Sequence, residues 1–202
     1  GVGTAPGGIS PMVSGLVWLI GMQVGMIVLT LLVATPGGGS AAQRLHLVPP
    51  VQGLAAYPAA LGLLLALVIA YNGLAYAVGA TDIVSDLKVF LEMAQSPGWL
   101  AALIAVGIGA PVSEELLFRG YLLGGLTSNL VRFRGAALIT TALWTAVHAG
   151  YSMSGLVEVA MVGLFLSWVL WRTGSLWVPI FCHAAYNSLL MVILLAWPTV
   201  PA

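Results

Sequence analysis

MVSGLVWLIGMQVGMIVLTLLVAT, from Met12 to Thr35, carries no charged side chain and is long enough as a helix to cross the roughly 30 Å of bilayer hydrocarbon. The stretch is read as a first transmembrane helix. No Lys, Arg, Asp or Glu occurs anywhere in the first 43 residues. A secretory signal peptide is not the reading, because no basic segment precedes the apolar run; no Met opens the chain, so a trimmed or processed start is expected. Pro36, three glycines and Ser40 break the helix, and Gln43, Arg44 and His46 make a polar loop before Pro49 and Pro50.

The rest of the chain repeats this composition. Of 202 residues, 60% are hydrophobic and 6% charged, with six Lys plus Arg, six Asp plus Glu and a mean hydropathy of +1.06. An average soluble chain is about one quarter charged, so a soluble globule is excluded. The formal net charge of zero and the lack of a basic run give no footprint for nucleic acid. Cys182 is the single cysteine, which excludes an internal disulfide and a cysteine metal cluster, and a small buried apolar role is expected.

Further spans are predicted at 53–80, 99–126, 136–150, 155–171 and 176–197. The segment 81–97 sets Asp82, Asp86, Lys88 and Glu92 among Ile83, Leu87, Val89, Phe90 and Leu91, the pattern of an amphipathic helix at the interface. The span at 136–150 is short, so a tilted, partly protein-buried helix is expected. The expected fold is an all-α, polytopic transmembrane bundle of about six spans plus one interfacial helix, forming one integral-membrane domain over 1–202. No internal repeat or domain boundary appears. Loops 36–52, 127–135 and 172–175 carry Arg44, Arg132, Arg134 and Arg172, against Lys88 alone on the other side, which makes the first side cytoplasmic and both termini non-cytoplasmic.

A charge at mid-helix costs about 2.5–3.5 kcal/mol on the insertion scale, so Glu114, Glu115 and Arg119 need partners or water. Glu115 and Arg119, four apart, share a helix face and can pair, whereas Glu114 is turned away. Counted from the cytoplasmic side at about 1.5 Å per residue, Glu114 and His148 lie about 18 Å deep, Asn187 about 17 Å and His183 about 11 Å. Three helices thus bring a carboxylate, two imidazoles and a carboxamide to similar depths, and a polar cavity must hydrate them. Each also has a plain structural reading, as an interhelical hydrogen bond. Glu158 falls near mid-depth with no motif around it; a buried polar contact and a site role are equally open. His46 is read as a solvated loop residue, and the GxxxG pairs Gly21–Gly25 and Gly120–Gly124 as close packing within the bundle.

Glu114 to Gly120 reads EExxxR followed by Gly, which resembles the first signature of the CAAX protease and bacteriocin-immunity (Abi, CPBP) family of intramembrane proteases. Trp144 to His148 is similar to the family's FxxxH, with Trp in place of Phe, and His183 to Asn187 matches its HxxxN. Arg172-Thr-Gly-Ser-Leu176, before Pro179 and His183, looks like the linker between the family's last two core helices. The resemblance covers about residues 98–190, a family-like catalytic core; residues 1–97 carry no signature.

The resemblance implies an intramembrane endopeptidase. Glu114 and His148 would activate a water, His183 and Asn187 would stabilise the oxyanion, and Glu115 with Arg119 would hold the helix geometry. General base and oxyanion chemistry both suit such groups where water is scarce. The family has also been viewed as zinc-dependent, with Glu114, His148 and His183 as a ligand set; neither HExxH nor a cysteine cluster enforces this, and the metal-free form is preferred. Expected partners are the lipid bilayer and a peptide or membrane-protein substrate, in eukaryotic members a prenylated C-terminal tail. The compact chain favours a bacterial-type member in the plasma membrane. Other classes remain open: a non-catalytic immunity or peptide-binding protein using the same cavity, a proton-coupled transporter, or a serine protease built on Ser154 and His183.

Overall fold

The computed structural model describes residues 11–35, 40–129 and 131–197. The helix break expected at Pro36 to Gly39 lies outside the described residues, as does Leu130 in the loop expected at 127–135. The described chain is all-helical: α1 (Pro11–Val33), α2 (Ala41–Arg44), α3 (Ala56–Ala77), α4 (Ile83–Asp86), α5 (Lys88–Ala94), α6 (Trp99–Thr127), α7 (Phe133–Ala146), α8 (Met153–Thr173) and α9 (Trp177–Leu195).

Five helices are long and apolar enough to cross a membrane: α1, α3 with the 3-10 turn Gly53–Ala55 that leads into it, α6, α8 and α9. The chain is an integral membrane protein. The sixth expected span, 136–150, is α7, whose 14 residues give about 21 Å of helix, less than the hydrocarbon thickness. It nevertheless runs from one end of the bundle towards the other. Phe133 at its start packs on Trp171 with ring centroids 6.4 Å apart, and Ser152, just beyond its end, bonds to Asp86 at the opposite end.

Backbone bonds sort the loops by end. Val51 N–H donates to Thr173 C=O at 3.1 Å and Leu176 N–H to His46 C=O at 2.8 Å, so the loops carrying Arg44 and Arg172 meet. At the opposite end Asp86 accepts from Ser152 N–H (2.9 Å) and Oγ (2.7 Å), Asp82 accepts from Ser154 Oγ (2.6 Å), and Gln95 donates to Trp197 C=O (2.9 Å). The bond from Ser154 holds the Asp82 carboxyl below its ordinary range.

Several large apolar side chains of α1 are exposed, among them Val17, Trp18, Met22, Leu29 and Leu32; no soluble helix spends its surface this way, whereas lipid solvates it. The inward side chains form a dry core that joins Leu64 of α3, Phe118 of α6, Trp144 of α7, Leu166 of α8 and Cys182 of α9. Cys182 is fully buried there. Gly120 meets Leu176 and Leu45, whose Cδ2 atoms would stand 3.0 and 3.2 Å from an added Cβ. Gly21 and Gly25 have nothing within 4 Å of that position, so only the second GxxxG pair packs as expected.

The segment 81–97 departs from one interfacial helix. It is two short helices, α4 and α5, joined at Leu87, and their apolar side chains turn inward onto the bundle: Leu87 and Phe90 pack with Leu16, Ala94 and Met191. Asp86 explains the placement, since its two bonds to Ser152 tie the segment to the start of α8.

Candidate active site

The site begins with a disturbance in α6. Pro111 has no N–H and its ring crowds the carbonyl one turn back, and α6 responds with a π-helical stretch, Ala105–Gly109. Three carbonyls there take bonds from other helices. Ala105 C=O accepts from Gln23 of α1 (3.0 Å), Val106 C=O from Asn187 Nδ2 (3.1 Å) and Gly107 C=O from Ser188 Oγ (3.3 Å). In a membrane such groups must be satisfied internally, so the proline fixes both the neighbouring helices and the position of Asn187.

Trp144 is the hub of the site. Its indole N–H donates to Glu114 Oε2 at 2.6 Å, and its backbone carbonyl lies 2.8 Å from His148 Nδ1. The His148 ring stands edge-on to the indole at 5.1 Å, the His183 ring at 5.5 Å, and the Arg119 guanidinium carbon lies 4.3 Å over the indole face. One buried residue thus touches Glu114, His148, His183 and Arg119.

A carbonyl only accepts, so His148 Nδ1 carries a proton and, in the neutral ring, Nε2 holds the lone pair. On α9, His183 Nδ1 lies 2.9 Å from Glu115 Oε1, the same oxygen that accepts from Arg119 Nη1 at 2.9 Å. The Glu115 and Arg119 side chains are wholly buried. Arg119 Nη2 also donates to Gly163 C=O at 3.3 Å; a Cβ on Gly163 would stand 3.1 Å from Nη2 and 2.9 Å from the indole Cε3, so only glycine leaves room here.

Beside these groups opens a cavity of about 590 Å³, whose lining includes Glu114, His148, His183, Asn187, Tyr151 and Glu158. That volume suits a ligand of several residues or a small molecule. The inward faces of α4 and α5 close part of it through Ile83, Leu87 and Phe90. Tyr151 packs edge-on to His148 at 5.3 Å and to Phe90 at 6.4 Å. Burial, and then the charges of Glu114, Asp86 and Glu158, push its phenol up to about 12.

Of the residues read from the sequence, Glu114, His148, His183 and Asn187 line the one cavity, while Glu115 and Arg119 sit behind it as an ion pair. Ser154 bonds to Asp82 and not to His183. His46 is exposed, at φ 55°. Sequence reading passed over Trp144 as an anchor, although tryptophan at the FxxxH position was the signal: its N–H is a donor that phenylalanine lacks. It also missed Asn72 and Tyr186, which bond to Glu158 across three helices, and for these no local pattern exists.

Among the described residues no three His, Cys, Asp or Glu side chains come together as a metal donor set. The zinc set Glu114, His148 and His183 is therefore not assembled in this arrangement.

An all-helical membrane bundle whose helices enclose a mainly apolar chamber carrying a few polar side chains is the class that fold and cavity define. Residues 96–189 match the model of the Rce1-like family, described as type II CAAX prenyl endopeptidase Rce1-like. The resemblance read from the three motifs holds over this stretch, which takes in all three of them and is similar to that family. The chain is similar to "UPF0177 protein YxdF" of Lactococcus lactis subsp. lactis (strain IL1403), 31% identical over 53% of this chain and 59% of that protein. It is also similar to an "Uncharacterized 24.3 kDa protein" of Escherichia coli, 35% identical over 46% of this chain and 44% of that one. A third relative, "Putative membrane peptidase YdiL" of Bacillus subtilis (strain 168), is 30% identical over 45% of this chain and 36% of that protein. The chain thus spans 36% to 59% of the length of these curated relatives. No solved structure matches it.

Proposed function

We propose that this chain is an intramembrane endopeptidase of the glutamate type, working in a bacterial plasma membrane on a peptide or membrane-protein segment, lipidated or not. The observation that carries the reading is the double attachment of Trp144, which holds Glu114 by its side chain and His148 by its backbone on the wall of one cavity. The Rce1-like match over 96–189 and the relative named as a membrane peptidase support the reaction class.

In this mechanism a water donates to the Glu114 carboxylate and to His148 Nε2. These bases take its proton as its oxygen bonds to the peptide carbonyl carbon. The oxyanion formed accepts from Asn187 Nδ2, whose second hydrogen is not needed by Val106 C=O. His183 adds a donor at Nε2 only when its ring holds both protons, because Nδ1 is engaged with Glu115. Collapse breaks the C–N bond, and the proton held by Glu114 or His148 passes to the leaving amine. Glu115 and Arg119 position His183 and touch no substrate.

Cleavage of a quenched peptide library by the detergent-purified protein, with and without chelator, tests this. Cleavage that survives chelation and disappears in Glu114→Ala is expected. Stoichiometric zinc with chelator-sensitive cleavage would replace the mechanism, and wild type that binds peptides but cleaves none would leave an immunity-type or binding role.

Trp144→Phe is a finer check. An aromatic ring persists, as in the family pattern, but the smaller phenyl gives up part of the indole's packing and Glu114 loses its donor. A hydrogen bond to a charged group contributes about 1.5–3 kcal/mol, so kcat/KM should fall about ten-fold or more, and the space left by the smaller ring should lower the melting temperature without unfolding the protein.

A further inference from the structure

Glu158 of α8 is a buried carboxylate that the proposed reaction does not use. It is 9% exposed and lines the cavity. Its Oε1 accepts from Tyr186 OH at 2.7 Å and its Oε2 from Asn72 Nδ2 at 2.8 Å, so α3, α8 and α9 are joined through it. Both neighbours donate, and neither supplies a positive charge. A carboxylate has about four lone-pair sites, of which these bonds use two, so acceptor capacity remains. Among the described residues the ion pairs are those of Glu115 with Arg119 and with His183, and Glu158 has none.

The cavity as a whole repeats this imbalance. Glu114, Asp86 and Glu158 line it together with His148 and His183, whose Nδ1 atoms are engaged by Trp144 C=O and Glu115; no Lys or Arg lines it, and Arg119 behind it is committed to Glu115. A carboxylate shielded from water and lacking a counter-charge is costly, and within a membrane helix it marks a place where a partner is expected. Tyr186 precedes Asn187 on α9, so a group held at Glu158 would lie along the wall that carries the proposed oxyanion donor.

We propose that Glu158, braced by Asn72 and Tyr186, is a specificity-determining residue that receives a cationic group of the peptide substrate, an ammonium or guanidinium. The assignment rests on the cavity being the substrate chamber, as in the proposed function. A basic side chain and a free peptide N-terminus present the same chemistry, and the test separates them.

The test is binding, followed by fluorescence anisotropy in detergent at neutral pH. One apolar peptide is made in three forms: N-acetylated with a single central Lys, N-acetylated with norleucine in its place, and norleucine with a free N-terminus. A charge-assisted contact is expected to make wild type bind a cationic form about ten-fold or more tightly than the neutral one. Preference for the first form assigns a side chain, and preference for the third assigns the N-terminus. Glu158→Gln should bring the ratio to about one, and Glu158→Asp, Glu114→Gln and Asp86→Asn should keep it. A wild-type ratio near one overturns the proposal, as does a ratio kept in Glu158→Gln. A ratio lost in Glu114→Gln or Asp86→Asn instead would give the cation to that carboxylate, and also overturns it. Because the readout is binding, wild type that shows the ratio but cleaves nothing defeats the proposed hydrolysis and leaves this assignment standing.

Discussion

Glu114→Gln is expected to lose peptide cleavage by about 10²–10⁴-fold while remaining folded, the range that a positioned general base contributes. Glutamine is nearly isosteric, and its carbonyl oxygen still accepts from the Trp144 indole, so the bond recorded at 2.6 Å survives the change. What disappears is the ability to take a proton from water. The loss should therefore fall on kcat with KM little altered, because the substituted atom acts on the attacking water and not on bound peptide. Turnover of a quenched peptide, beside the melting temperature of the same preparation, checks it. Cleavage at wild-type rate would remove Glu114 from the chemistry and with it the proposed mechanism.

Arg119→Ala is expected to damage the fold itself. The Arg119 and Glu115 side chains are both fully buried, and removing one partner of such a pair costs about 3–5 kcal/mol because the other charge stays behind, here with only the bond from His183. Two further contacts go with it, the bond to Gly163 C=O and the stacking on Trp144. The variant should lose most of its monodisperse yield in detergent and melt well below wild type. A double variant, Glu115→Met with Arg119→Met, separates the two roles of the pair. Its stability should lie closer to wild type than that of either single change, since no lone charge remains. Its cleavage should stay low, because His183 has lost the carboxylate at 2.9 Å that orients its ring. Size-exclusion profiles and melting temperatures read the first effect, and peptide turnover reads the second.

These outcomes separate what the linear order of residues could reveal from what it could not. Hydropathy was enough for the spanning helices, because an uninterrupted apolar run such as Met12 to Thr35 has few other stable environments. The pairing of Glu115 with Arg119 was legible too, since residues four apart share a helix face, and the ion pair forms at 2.9 Å. Depth counting brought Glu114, His148 and Asn187 to one level, and all three line one cavity. For His183 the count gave a shallower position; it reaches the same cavity beside Trp144.

The remainder depended on tertiary structure. That the helix read at 136–150 would be short was legible, but its shift to Phe133–Ala146 is a matter of where its backbone bonds begin and end, which hydropathy does not register. Whether the apolar side of 81–97 would face lipid or protein was undecidable from its periodicity, since both environments accept Leu87 and Phe90; the bonds from Ser152 to Asp86 settle it. Pro111 was visible in the sequence, but not that its strain would leave Val106 C=O for Asn187, because the two residues meet only when α6 and α9 pack. Asn72, Glu158 and Tyr186 stand far apart in the chain and belong to no motif. The sequence by itself determined the apolar helices and the local pairs within them, through composition and the helical repeat. Which polar groups face one another across helices was decided only by packing, because in a bilayer a buried donor must find its acceptor on whichever helix comes to lie beside it.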